Sequence, residues 1–476
     1  MTLHLILELV FSTIYIGIIV STIIIILREN RKPTRALSWI LVLILLPLLG
    51  LFCYYIFGQY FRKRKIISKK KIRKISKVPN SSYQLSPHET TFLSDQQKLL
   101  IRLLKRNNNS TAFPCNKIDV LTNGKETFDA MFDAIKNAKK HIHIEFYIFE
   151  NDEISNKLRK LLIKKANEGV RVRMIYDFLG SFSLSKKYIE SLKNAGVYVA
   201  PFLPARFKVA RIKINYRNHR KILVVDGEIG FTGGLNIADR YITGNKLGLW
   251  RDSFIKIEGL AVHGLQTNFL IDWYFAGGKL IKDAKYYPPM PVTNNNLVQI
   301  VSSAPDSDWE NIMQGISYAI ITAQKYVYIH TPYFIPPEML LSAIQIAALS
   351  GIDVRLMIPK KSDAATSTAA SHSYIESILE AGVKVYWYES GFLHSKAIVI
   401  DDMISIVGSA NLDERSANLN FELNAFVFNA ETANSLKNAF IQDLKQSTSI
   451  SPQQWRNRST WNKLKESIAR LLSPLM

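Results

Sequence analysis

The sequence predicts an α/β protein: two pseudo-two-fold-related α/β/α sandwich domains, preceded by an N-terminal pair of transmembrane helices. Three observations carry this. Two long apolar runs open the chain, a set of segments recurs 175 to 186 residues later, and within each copy β-branched runs alternate with helical patterns. At 476 residues and 47% hydrophobic composition the chain can bury more than one core. The formal charge is +22, yet ten Lys or Arg and no acid fall between Arg62 and Lys77, and the remainder is only +12. Two cysteines, Cys53 and Cys115, are too few for a disulfide framework. With no CxxC pair, no HExxH and no His/carboxylate cluster at ligand spacing, nothing in the sequence asks for a metal or a cofactor.

The expected organisation is a transmembrane hairpin over 1–60, a basic juxtamembrane segment and linker over 61–111, and two domains over 112–290 and 291–476. Leu3 to Leu27 is interrupted only by Glu8 and small polar residues, and Ala36 to Phe57 carries no charge; each exceeds the ~20 residues that cross a bilayer. A cleaved signal is disfavoured, because the first run lacks a basic n-region and a small-residue cleavage site and a second run follows at once. Pro47 should kink the second span. Four basic residues lie between the spans, against ten after them, which places the bulk of the protein in the cytoplasm and predicts a multi-pass protein of the cell membrane. The basic run is also placed to lie on anionic membrane lipids. From Val78 to about Thr111 the sequence turns polar and reads as a linker with one short amphipathic piece around Leu99 to Leu104.

The repeat is explicit. Tyr188-Ile-Glu-Ser-Leu-Lys-Asn-Ala-Gly-Val-Tyr-Val199 matches Tyr374-Ile-Glu-Ser-Ile-Leu-Glu-Ala-Gly-Val-Lys-Val385 at eight of twelve positions. Upstream, Gly169 to Arg173 parallels Gly351 to Arg355, and the aromatic-rich strand patterns His141 to Phe149 and Tyr326 to Phe334 correspond. A helix is expected before His141, with Phe128, Phe132, Ile135 and Ala138 on one stripe after the Asn123-Gly124 turn.

Both copies end in the same constellation, HxKxxxxDx6G[GS]xN: His219, Lys221, Asp226 and Asn236 in the first, His394, Lys396, Asp401 and Asn411 in the second. One such match is weak; two, aligned within a wider repeat, are not accidental. Each motif sits on a β-branched run, so His and Lys two residues apart point to the same side. Asp226 and Asp401 fall at an odd offset beside a turn, and their preferred role is hydrogen bonding to neighbouring chain. The set suits a phosphodiester, an anion that repels nucleophiles. Lys221 and Lys396 would hold its non-bridging oxygens, Asn236 and Asn411 would donate to them, one histidine would attack phosphorus and the other protonate the leaving alcohol. That division needs one neutral and one protonated imidazole, which Asp252 and Glu422 are candidates to arrange.

These residues resemble the phospholipase D superfamily with its paired HKD motifs, and within it the bacterial cardiolipin synthase family. The resemblance is carried by "RNHRKILVVDG", "GFTGGLNI", "LHSKAIVIDD" and "GSANLDERS", by the N-terminal apolar pair, and by the closing Ser473-Pro-Leu-Met476 after an amphipathic Trp461 to Leu472 stretch. It implies a site between two α/β units, a covalent phosphohistidine, no metal requirement, and catalytic motifs that include Asp226 and Asp401. The family further implies transfer of a phosphatidyl group between two phosphatidylglycerol molecules with release of glycerol. By the same analogy His219 is the nucleophile and His394 the general acid, then base; spacing alone does not rank them. A nuclease is the main rival among enzymes, since the chain is basic, but the membrane hairpin argues against a nucleic-acid partner. A non-catalytic scaffold would have no need of His, Lys and Asn in both copies.

Overall fold

The computed structural model describes residues 3–29, 33–58, 83, 85, 86, 88–204, 215–290 and 296–472. The basic run 62–77 and the tail 473–476 lie outside the described residues. The chain divides into two units, Met1–Ile66 with Ala205–Tyr216, and Ile67–Pro204 with Arg217–Met476.

In the first unit, a helix runs over Leu3–Arg28. At 1.5 Å per residue its 26 residues reach about 39 Å, more than the hydrocarbon thickness. Leu7, Leu9 and Phe11 are 61, 63 and 71% exposed, a surface suited to lipid and not to water. The second apolar run is interrupted where Pro47 is expected to kink it. It breaks into helices Pro33–Leu45 and Pro47–Cys53, followed by a π-helical turn Tyr54–Gly58. Proline explains the break: it offers no amide hydrogen to the preceding turn and drives the residue before it, Leu46, out of helical geometry to φ −128°, ψ 66°. Among the described residues one helix, His4–Arg28, is long and apolar enough to cross a membrane, and Ala36–Leu45 is a shorter apolar helix. Ile26, Leu43 and Tyr54 are buried together, with Trp39 set edge-on to Tyr54 at 5.6 Å.

The second unit holds both repeats. Its strands are β1 (Ala112–Asn123), β2 (His141–Phe146), β3 (Arg171–Asp177), β4 (Tyr198–Phe202), β5 (Arg217–Asn218), β6 (Ile222–Val225), β7 (Ile229–Gly233) and β8 (Leu249–Gly259) in the first half. The second half has β9 (Asn296–Ser303), β10 (Tyr326–His330), β11 (Phe334–Ile335), β12 (Asp353–Pro359), β13 (Lys384–Tyr388), β14 (Gly391–Leu393), β15 (Ala397–Ile400), β16 (Ile404–Gly408), β17 (Leu412–Asp413), β18 (Asn420–Phe428) and β19 (Ser447–Ser449). In the first half the order is β4-β3-β2-β6-β7-β8-β1, with β2, β3 and β4 parallel and the rest antiparallel. In the second, β19-β13-β12-β10-β15-β16-β18-β9 repeats that order with β19 added at the edge. The halves join where β1 pairs antiparallel with β9. The parallel strands are linked by helices Glu153–Asn167 and Lys186–Asn194, and by Glu338–Leu349 and Ala365–Glu380.

Strand alternation builds the layers. Ile142, Ile144 and Phe146 of β2 enter a core with Phe128, Phe132 and Leu158. The residues between them face the opposite helix, Val262–Phe275, where His143 stacks on Phe269 at 4.5 Å and meets Gln266. In the second half Val327 and Ile329 enter the corresponding core, while Tyr328 and His330 stack on Phe440 of helix Ala430–Leu444. The helix before β2 spans Gly124–Lys136, capped by the Asn123 side chain, and buries Phe128, Phe132 and Ile135; Ala138 lies beyond its end. The repeated glycines Gly169 and Gly351 both take φ +87° after their helices, a left-handed position that favours glycine. In the stretch read as a linker the structure holds a longer helix, Asp95–Asn108, closed by a Ser94 capping box. Its Leu100, Ile101 and Leu104 pack into the core of the second half, a long-range contact that the polar composition around it hides.

Candidate active site

Each motif lies at a crossing point. The sequence places His219 and His394 on the β-branched runs; in the structure they stand just before β6 and β15, where the chain changes partner. Ahead of His219, β5 pairs in parallel with β18 of the other half, and the His219 amide donates to Phe421 O at 2.9 Å. Ahead of His394, β14 pairs with β8, and the His394 amide donates to Arg251 O at 2.7 Å. Each histidine therefore sits beside a strand of the opposite repeat, next to the carboxylate that strand carries. His219 Nδ1 lies 3.0 Å from Glu422 Oε2, and His394 Nδ1 lies 2.6 Å from Asp252 Oδ2. The histidines, like both carboxylates, are buried.

Both histidines line one cavity of about 420 Å³, together with Asn236 and Asn411. Lys221 and Lys396 stand behind this lining, fully or almost fully buried, each donating to the carbonyl of its own histidine at 2.6 and 2.5 Å. Asp226 and Asp401 are elsewhere. Asp226 accepts from the backbone amides of Lys139, Lys140 and His141 at 2.7–2.8 Å, and Asp401 from those of Gln324, Lys325 and Tyr326 at 2.6–2.9 Å. Both take a left-handed φ, 56° and 54°. Each carboxylate thus fastens the entrance of a parallel strand, β2 or β10, to the end of a motif strand.

The two carboxylates behind the histidines differ electrostatically. Glu422 accepts from Ser409 Oγ, from Ser416 Oγ at 2.8 Å and from Asn420 Nδ2 at 3.1 Å as well as facing His219. His219, Lys221 and these donors outweigh burial and hold its pKa below the usual range. Asp252 has fewer donors: its Oδ1 accepts from the Ser253 amide at 2.7 Å. Burial dominates and pushes it up to about 7. Burial also lowers His219 to about 4 against the pull of Glu422, and lowers His394, with Lys396, Lys221 and His219 repelling a second positive charge. Desolvation lowers both lysines, Lys396 to about 8. An anion placed in the cavity would reverse these repulsions.

Several residues at the site carried no signal in the sequence reading. Tyr147 packs edge-on to His219 at 5.1 Å, and Trp250 lies 5.2 Å from the His394 ring. Tyr241 joins the halves, its hydroxyl 3.1 Å from Asn236 Nδ2 and 3.4 Å from His394 Nδ1. Arg217 and Arg415 add positive lining. The repeat offset could have paired Tyr241 with Ser416, which contacts Glu422: Tyr241 stands five residues after Asn236, and Ser416 five after Asn411. Beneath the site, the buried pair Arg220–Asp272 at 2.5 Å also ties to Glu422 O, and Arg251 pairs with Asp443 at 3.0 Å. Breaking such a buried pair costs ~3–5 kcal/mol.

Known proteins resemble this chain along nearly its whole length. A family model described as "Cardiolipin synthase, PLD-like domain" matches residues 131–251 and 316–444, one motif in each segment. Another, "Phospholipase_D-nuclease N-terminal", matches residues 17–59. Cardiolipin synthase 2 of Bacillus anthracis is 43% identical over 458 residues, covering 95% of this chain and 89% of that protein. The major cardiolipin synthase of Bacillus subtilis (strain 168) is 41% identical over 481 residues, covering 98% and 99%. Among solved structures, the phosphatidylserine synthase of Haemophilus influenzae Rd KW20 shares the fold, with a TM-score of 0.61 at 15% identity over 79% of this chain and 100% of that one. With both repeats matched and relatives above 40% identity along nearly its whole length, the chain belongs to the cardiolipin synthase family of phospholipase D-like proteins.

Proposed function

We propose that this chain transfers a phosphatidyl group from one phosphatidylglycerol molecule to another, releasing glycerol and forming cardiolipin through a phosphohistidine. The observation that carries the reading is the unequal pair of carboxylates behind two histidines that share one cavity. Glu422, kept ionised, accepts from Nδ1–H of His219 and leaves the Nε2 lone pair of a neutral imidazole free to attack phosphorus. Asp252, near 7, holds a proton against Nδ1 of His394, which leaves Nε2–H as the donor.

In the first step a His219 Nε2–P bond forms and the P–O bond to glycerol breaks. The departing oxygen takes the Nε2 proton of His394, while the Asp252 proton moves to Nδ1. In the second step a hydroxyl of another phosphatidylglycerol gives its proton back to His394 Nε2 and attacks phosphorus, and the P–N bond breaks. Lys221 and Lys396 supply positive charge to the non-bridging oxygens, and Asn236 and Asn411 donate hydrogen bonds. Asp226 and Asp401 act through the backbone.

The N-terminal segment is read as two passes, the second through the Pro47 break, with the catalytic body on the cytoplasmic side of a bacterial cell membrane. The excess of basic residues after the apolar runs supports that side. Attachment to the membrane supplies lipid alcohols at high local concentration to compete with water for the phosphohistidine. Purified full-length protein given phosphatidylglycerol with chelator present should yield cardiolipin and glycerol in equal amounts by mass spectrometry. Release of phosphatidic acid alone, or no turnover without added divalent metal, would overturn the reading.

A further inference from the structure

A second cavity, of about 370 Å³, lies outside the catalytic site. It is lined by Tyr83, Leu85, Thr90, Lys98, Ile101, Arg102, Lys105 and Ala112. Lys98, Arg102 and Lys105 recur at i, i+4 and i+7 along helix Asp95–Asn108, so the three cations share one face. Ile101 on that face is buried, as is Ala112, and Leu85 packs against the core of the second half. Tyr83 completes the wall, its hydroxyl donating to Glu89. Among the described lining residues there is no carboxylate; of the two nearby, Glu89 accepts from the Tyr83 hydroxyl and the Ser86 amide, and Asp95 reaches Lys98 at 3.6 Å but is itself 91% exposed, so it screens little.

The result is a cleft that combines a row of positive charge with an apolar lining from Ile101, Leu85, Ala112 and the Tyr83 ring. A soluble anion would use the charge and leave the wall wet, and an apolar ligand would leave the cations unanswered. A diacyl phospholipid with an anionic head satisfies both, and the volume suits a head group with the first carbons of its chains. Chain order agrees: this is the first described part of the body after the apolar N-terminal segment and the basic run 62–77.

We propose that the cleft formed by Tyr83, Leu85, Thr90 and Ala112 with the helix Asp95–Asn108 is a binding site for an anionic phospholipid, distinct from the catalytic cavity, in which Lys98, Arg102 and Lys105 hold the phosphate. It stands apart from the transferase reading, because lipid capture at the cleft and cardiolipin formation are measured separately on the same sample. The test uses the full chain in phosphatidylcholine nanodiscs with a trace of photoactivatable lipid bearing a diazirine in its acyl chain, and maps the cross-linked peptides. Phosphatidic acid should label peptides within 83–112 far more than phosphatidylcholine does. Lys98→Gln/Arg102→Gln/Lys105→Gln should lower that labelling by about 100-fold, roughly tenfold or less per cation, and leave labelling at the catalytic cavity unchanged. Should the triple variant fail to fold, Arg102→Gln alone carries the test, with about a tenfold or smaller loss. Equal labelling by both lipids, labelling that survives loss of the cations, or full displacement by soluble glycerol 3-phosphate would each overturn the proposal.

Discussion

Replacing Asp252 by Asn separates the proposed roles of the two histidines. The Asp252 Oδ1 position accepts from the Ser253 amide at 2.7 Å, so the amide oxygen of Asn should stay there and turn its NH2 toward His394 Nδ1. His394 then keeps Nε2–H, yet no proton can follow when it gives that one up. The contact that can no longer pass a proton, or carry the carboxylate charge that develops as it does, is 2.6 Å long and buried. A hydrogen bond to a charged group is worth ~1.5–3 kcal/mol, about 10- to 150-fold in rate, and complete loss of general acid catalysis reaches ~10²–10⁴. The expected fall in the first turnover with phosphatidylglycerol is therefore ~10²–10³. A phosphatidyl donor with a p-nitrophenol leaving group needs little protonation, so its burst should fall by about tenfold or less. The assay is a stopped-flow burst of nitrophenol beside rapid-quench glycerol release on the same preparation. Equal losses with both donors, or none with either, would refute the assignment of His394 as the acid.

The pH dependence follows from the same pair. With Asp252 at about 7, the proton it shares with His394 is lost as pH rises through that value, so glycerol release should decline above about pH 7 and nitrophenol release should not. The sign for folding matches. An unfolded Asp titrates at about 3.9, so the folded chain binds the extra proton in between, and this contribution to stability, full below about 4, fades as pH rises through about 7. Thermal melting of Asp252→Asn should lack that decline. Asp226→Asn keeps a side chain that tolerates the left-handed backbone but removes the charge from three amide contacts. It should lose ~1.5–3 kcal/mol of stability by melting while the properly folded fraction retains its kcat. Lys396→Gln removes one of the two cations behind the cavity lining and should cut kcat by ~10²–10³ with the fold intact.

Much of this site is legible in the chain itself. The doubled HxKxxxxDx6G[GS]xN string names His219, Lys221, Asn236 and their partners, and period-two alternation in His141–Phe146 assigns faces to a sheet. The offset of Asp226 and Asp401 already separates them from the histidines. What the sequence cannot carry is the crosswise pairing of His219 with Glu422 and His394 with Asp252. That depends on β5 meeting β18 and β14 meeting β8 across the pseudo-two-fold, contacts between residues 203 and 142 positions apart. The unequal acidity of the two carboxylates is likewise a tertiary matter: burial dominates at Asp252, while at Glu422 it is outweighed by His219, Lys221 and the Ser409 hydroxyl. Of helix Asp95–Asn108 only the amphipathic piece Leu99 to Leu104 is legible in the chain, because both ends, Asp95 to Lys98 and Lys105 to Asn108, are wholly polar. The bend at Pro47 is legible in the chain, but its sharpness, which divides the run into helices Pro33–Leu45 and Pro47–Cys53, is a matter of backbone geometry that hydropathy does not register.

The decisive measurement is the position of the covalent phosphatidyl group. His394→Ala, mixed with the p-nitrophenyl donor and quenched in alkali to preserve the P–N bond, should carry one phosphatidyl adduct on the peptide containing His219. That adduct should be absent from His219→Ala. An adduct on His394 in the wild-type chain, or turnover with no adduct at either histidine, would contradict an attack by the imidazole that Glu422 holds.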